Sequence, residues 1–164
     1  MAVSEPTVVS RPPQAFAAKL VTVRQPEIAR VGPALIDEVV TWLNGRGEGP
    51  AGPSFFNYVD FLEDDRMVMH AGVPTTDLME ADGDVVTGII PAGRFATMTL
   101  TGPYEELRDV NMALGDWMAQ NGLRGDGTGD GMLVRGANRM EIYLKDPGED
   151  PSGLPVTEVA FRLA

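Results

Sequence analysis

The sequence has no cysteine and a single histidine, His70, among 164 residues. The first absence removes disulfides, thiolate metal sites and a cysteine nucleophile. The second excludes a multi-histidine metal centre and leaves any Ser-His-Asp triad dependent on His70. No run of about 20 apolar residues is present, so no membrane-crossing helix is expected. The opening MAVSEPTVVSRPP lacks a basic stretch followed by an apolar one, so no signal peptide is read there and the expected compartment is the cytoplasm. Basic residues are scarce as well: 13 Lys and Arg stand against 24 Asp and Glu, a net charge of −11. Such a polyanion repels nucleic-acid phosphates, so direct DNA binding is not expected. A neutral or cationic partner is easier to accommodate.

What is present is ordinary globular composition, 43% apolar, over a length that suits one domain or two small fused halves. Residues 1–13, polar and carrying Pro6, Pro12 and Pro13, read as a flexible tail before a domain at 14–164. Phe16 to Val23 reads as a strand. Leu35, Val39 and Leu43, with Ile36 and Val40 beside them, mark one apolar face of a helix near 32–45, with Gly32-Pro33 at its start. The aromatic stretch 55–61, the turn Glu63-Asp64-Asp65 and residues 66–73 form a hairpin pattern. An interposed strand follows at 85–90, then a strand at 94–100. A second helix near 103–121 carries Leu107, Val110, Leu114, Trp117 and Met118 at helical spacing. A Gly/Asp-rich loop spans 124–136, read as solvated and mobile. Strands at 140–144 and 157–163 close the chain.

The order strand-helix-strand-strand thus occurs twice, in halves of about 14–80 and 84–164. Phe16-Ala17 matches Phe95-Ala96, and Trp42 and Trp117 each sit near the end of a helix. Neither half has enough surface to form a core alone. The expected fold is α+β: one antiparallel sheet made by tandem duplication, with two main helices on one face.

Four stretches, HAGVPT (70–75), IPAGRFATMTLTGPYEEL (90–107), MEIYLKDP (140–147) and TEVAFRL (157–163), occur in an order that resembles the gyrase-inhibitor-like (GyrI-like) small-molecule-binding domains. These also form the effector-binding portion of multidrug-sensing transcription regulators. The resemblance implies the duplicated fold and a small-molecule ligand. In regulators the domain trails a DNA-binding helix-turn-helix. No such segment precedes it here, so the chain is expected to be a stand-alone member. The family name comes from restraint of another protein, so a basic protein partner is an alternative. Some stand-alone members hydrolyse cyclopropane-bearing natural products, which makes a hydrolase another.

Glu141 is the central candidate. Strand alternation puts Glu141 and Tyr143 on one face and Met140, Ile142 and Leu144 on the other. The apolar set is expected under the helices, leaving Glu141 and Tyr143 to face an opposite groove. The resemblance places the matching acidic residue on the floor of an aromatic pocket, facing a cationic ligand. Burying a carboxylate without a partner is costly, and a cation lowers that cost while aromatic rings add cation–π attraction. Tyr58 and Phe56 share a strand face, and Tyr104 opens the second helix. With Trp117 and the deformable Met69 they complete the expected ligand-binding set. In a hydrolase, Glu141 would position or deprotonate a water and Tyr143 or Tyr104 would hydrogen-bond the polarised carbonyl. His70, opposite Met69, reads as a surface strand residue. Asp126-Gly127-Thr128-Gly129-Asp130-Gly131 mimics the start of a calcium loop, but Ala137 stands where its glutamate belongs, so no metal or other cofactor is expected.

Overall fold

The fold is given by a computed structural model and is described for residues 2–130 and 133–164. Its strands are β1 (Ala2–Val3), β2 (Thr7–Arg11), β3 (Gln14–Arg24), β4 (Phe55–Phe61), β5 (Arg66–Pro74), β6 (Val85–Ile90), β7 (Gly93–Thr101), β8 (Thr128–Asp130), β9 (Leu133–Arg135), β10 (Arg139–Lys145) and β11 (Val156–Arg162). Its helices are α1 (Ile28–Asn44) and α2 (Leu107–Gln120). Nine strands form one antiparallel sheet in the order β1-β7-β11-β10-β4-β5-β3-β6, with β2 also on β7.

The order is symmetric about the β4–β10 pair, where Phe56 stands opposite Glu141. From that pair outward, β5 and β3 on one side match β11 and β7 on the other. Both central strands carry the same irregularity, at Tyr58/Asp60 and at Tyr143/Lys145. The 79-residue spacing of Phe16 and Phe95 recurs at the 3₁₀ turns Gln25–Glu27 and Tyr104–Glu106, and at the helix starts Ile28 and Leu107. An approximate twofold therefore relates the halves and passes between Phe56 and Glu141. On this spacing the counterpart of Trp42 is Asn121. The two tryptophans are not equivalent, although both lie near helix ends.

Residues 2–11 are not a loose tail. β1 and β2 pair along β7, Val8 and Val9 pack against core residues, and Arg11 bonds Glu158 at 2.6 Å. Short apolar content hid this strand, whose stability comes from the β7 edge rather than from its own pattern. β2 is the counterpart of the interposed β6, and the two are exchanged. β2 precedes β3 yet pairs with β7, while β6 precedes β7 yet pairs with β3.

Helix α1 starts one turn earlier than expected. Pro26 opens the preceding 3₁₀ turn, and Gly32 and Pro33 lie inside the helix. The hairpin between β4 and β5 turns at Asp64 and Asp65, with φ of 60° and 56°, a conformation that Asp tolerates. In the Gly/Asp loop, β8 pairs with β9, so the expected solvated loop is partly a small hairpin. Gly131 and Met132 lie outside the described residues.

Both helices lie on one face of the sheet, as expected, but it is the face that carries Glu141. α1 packs on Val23, Met69, Ala71, Ala17 and Val73. α2 packs on Met98, Leu100, Val159 and Phe161. Val159 stands beside Glu141 across the β10–β11 ladder and points the same way. The expectation that Met140 and Ile142 lie under the helices is therefore reversed. Met140 belongs to a second core on the other face, where the curled sheet brings Phe16 and Phe95 onto Phe55. His70 is half-buried on that face against Phe16, ring centroids 5.3 Å apart, rather than on the surface. Burial lowers its pKa.

Candidate functional site

The two helices do not meet above the centre of the sheet. They leave a groove of about 1260 Å³ whose floor is the β4–β10 pair. Alternation along these strands presents Phe56 and Tyr58 from β4, and Arg139, Glu141 and Tyr143 from β10. Ile28, Pro33 and Ile36 form the α1 wall, and Leu107, Asn111 and Met112 the α2 wall. Tyr104 stands at the entrance with Asp37, Glu105 and Asp146. With Arg108 also on the lining, the three acidic groups leave the entrance net negative and favourable to cations.

Glu141 is 8% exposed. Its Oε1 accepts hydrogen bonds from the Tyr58 hydroxyl at 2.8 Å and the Tyr143 hydroxyl at 3.1 Å. Its Oε2 accepts from Asn111 Nδ2 at 3.0 Å, while the same amide donates to the Leu107 carbonyl. All three donors are neutral, and among the described residues no Lys or Arg forms an ion pair with this carboxylate. Burial raises the Glu141 pKa, and the bonds from Tyr58, Asn111 and Tyr143 oppose that rise. Burial and the neighbouring Glu141 charge push both tyrosine hydroxyls well above their ordinary range, so they remain donors. The rings form a continuous array: Tyr143 meets Phe56 edge-on at 5.1 Å and Tyr104 edge-on at 6.0 Å.

The GyrI-like small molecule binding domain family matches residues 4–164. The chain belongs to that family. Among solved structures of the same fold, the C-terminal domain of EcmrR is 20% identical with a TM-score of 0.69, covering 98% of this chain and 97% of that one. In the EcmrR–DNA complex the match is 21% identical with a TM-score of 0.70, and this chain, 97% covered, spans 57% of that one. SAV2435, solved bound to tetraphenylphosphonium, is 13% identical with a TM-score of 0.65, covering 98% and 94% of the two chains. A hydrolase from Listeria innocua is 15% identical with a TM-score of 0.62, covering 98% and 92%. No curated protein matches the sequence.

Of the residues expected from the sequence, Glu141, Tyr143, Tyr58, Tyr104 and Phe56 all line the GyrI-like groove. Met69 and Trp117 do not. Met69 is fully buried beneath Tyr58, and its strand neighbour Met67 lines the groove instead. Trp117 packs sideways against the α2 core, and Trp42 stacks under Arg46 away from the groove. Asn111 and Arg139 were not expected. Asn111 is an ordinary polar helix residue in sequence. Its only sequence mark is that, on the 79-residue spacing, it replaces Gly32.

Proposed function

We propose that the groove binds an amphipathic cation, with Glu141 as its counter-charge. The single observation that carries this reading is a buried carboxylate, held by neutral donors only, on the floor of an aromatic groove. A bound cation would recover part of the desolvation cost of that carboxylate, and the rings of Phe56, Tyr58, Tyr104 and Tyr143 would add cation–π attraction of roughly 0.5–2 kcal/mol each. The binding of tetraphenylphosphonium by a relative of the same fold supports a bulky lipophilic cation as the probe. A cytoplasmic setting and a small-molecule rather than a DNA partner belong to the same proposal, and the net charge of −11 supports the latter.

The test compares tetraphenylphosphonium with tetraphenylborate, which has nearly the same shape and opposite charge. The wild-type protein should bind the phosphonium and discriminate against the borate. Glu141→Gln should weaken the phosphonium about tenfold or more, since two opposite charges roughly 6 Å apart at an effective dielectric of about 20 attract by about 2–3 kcal/mol. Unchanged phosphonium affinity in that variant overturns the assignment. A hydrolytic reading rests on the raised pKa of Glu141, which makes its carboxylate a stronger base toward water. Incubation with electrophilic cyclopropane compounds and product analysis tests it, and Glu141→Gln should abolish any turnover found.

A further inference from the structure

Arg139 is a half-buried groove residue that the cation reading leaves without a task. It lies two positions before Glu141 on the same face of β10, so their Cα atoms are about 6–7 Å apart. Its guanidinium is clamped between the rings of Phe61 and Phe161, 5.2 Å from each centroid. Its Nε is buried and has no hydrogen-bond partner. Among the described residues, no carboxylate forms an ion pair with it.

The nearby acids are engaged elsewhere. Both Asp126 oxygens accept bonds from Asn138, at 2.9 and 2.7 Å, and one also meets Arg162 at 3.4 Å. The Glu141 oxygens are taken by Tyr58, Tyr143 and Asn111. Cation–π contact with two rings holds the guanidinium but uses none of its N–H donors. A guanidinium fixed in this way is preset for two parallel bonds to a planar oxyanion. Burial lowers the Arg139 pKa, and the charge of Asp126, which is bonded to Asn138 and Arg162, only partly opposes that fall.

We propose that the Arg139 end of the groove is a carboxylate-binding subsite, so that the ligand is amphoteric. Its cationic centre sits at Glu141 and its carboxylate at Arg139. The cationic half of this statement rests on the function proposed above; the carboxylate half rests on Arg139 alone. Phe61 and Phe161 hold the guanidinium carbon at equal distance from both rings and so fix where the carboxylate is received.

The experiment uses two dyes that differ in one group: a cationic rhodamine ethyl ester, and the zwitterionic rhodamine with the free carboxylate in its place. Affinities are measured by fluorescence anisotropy above neutral pH, on the wild-type protein and on Arg139→Gln, Arg139→Lys and Glu141→Gln. The wild-type protein should bind the zwitterion at least as tightly as the ester, despite the net charge of −11. Arg139→Gln should weaken the zwitterion about tenfold or more and bind the ester as tightly as the wild type or more tightly, since it removes a like charge. Arg139→Lys, which keeps the charge and loses the fork, should fall between the two.

If the wild-type protein binds the zwitterion more than about tenfold more weakly than the ester, the subsite is overturned, whether or not any variant folds. Equal effects of Arg139→Gln on both dyes overturn it too, while dependence of the ester on Glu141 keeps the cation reading. A zwitterion that depends on Arg139 but not on Glu141 overturns the cation reading and keeps the carboxylate subsite. Binding of neither dye overturns both.

Discussion

Gly32 leaves the space that the Phe56 ring occupies. A Cβ on Gly32 would overlap the ring tip and stand 2.8 Å from both Cε atoms. The twofold relation makes this pair the counterpart of Asn111 and Glu141. One slot between helix and floor strand is filled by a ring against a bare backbone, and its twin by an amide bonded to a carboxylate. The duplicated frame thus holds an apolar half-site and a polar one.

Gly32→Ala tests the first of these. Alanine favours a helix over glycine by about 1 kcal/mol, but overpacking a fitted contact costs roughly 1–3 kcal/mol. The ring has little room to withdraw because Tyr143 packs edge-on against it. Urea denaturation should show a net loss of up to about 2 kcal/mol, and adding Phe56→Leu should recover most of it. A Gly32→Ala protein as stable as the wild type would mean that the ring moves freely.

The raised pKa of Glu141 makes a signed prediction about stability. A carboxyl group whose folded-state pKa lies above its unfolded value makes the folded protein hold its proton more tightly. Its contribution is favourable at low pH and is lost as pH rises through the window between the two values. Glu141→Gln removes this titration. The variant should be more stable than the wild type at neutral pH, and the difference should shrink as pH falls through the raised folded-state pKa and level off near about 4.3, the ordinary glutamate value. Thermal melts across that range read it directly. A variant that is less stable at every pH contradicts it.

Tyr58→Phe and Tyr143→Phe remove hydrogen bonds that hold the Glu141 pKa down. Each should shift the acid limb of phosphonium binding to higher pH, and Tyr58→Phe more so, because its bond is the shorter and more buried one. A titration of affinity against pH measures the midpoint. Identical midpoints in all three proteins would show that Glu141 is not the group being titrated.

Removal of residues 1–11 should lower the melting temperature and promote association in size-exclusion chromatography. The truncation strips the outer partner from β7 and exposes that strand's edge to other chains. A truncated protein that stays monomeric with an unchanged melting point would show that β1 and β2 add nothing.

Much of this was legible in the sequence, for reasons that also mark its limit. Period-two alternation along Arg139–Lys145 separates Glu141 and Tyr143 from Met140 and Ile142, and the structure keeps that separation. Which face the helices cover was not legible, because β11 is apolar on both sides: Val159 and Phe161 point one way and Ala160 the other. Apolarity in β10 alone chose the wrong side. Asn111 and Glu141 are 30 residues apart, and no local pattern links a helix amide to a strand carboxylate. Arg139 looked like one more charged strand end, and its clamp needs Phe61 and Phe161 from two other strands. The strand at Thr7–Arg11 could have been found by extending the Phe16–Phe95 match backward, where Pro12 aligns with Pro91.

The exchanged first strands impose an order of events on the growing chain. Thr7 must wait for Thr97, its neighbour in the ladder, so β2 leaves the ribosome long before its partner exists. The first half, in turn, lacks the strand that borders β3 until Val85–Ile90 has been made. Neither half can close its sheet early and act as a template for the other. The β3–β6 closure spans most of a repeat and the β2–β7 closure more than one, which places the fold among the slower, non-local topologies. A translational pause before residue 101 would therefore hold the nascent chain with two open strand edges, the period in which a chaperone would have the most to protect.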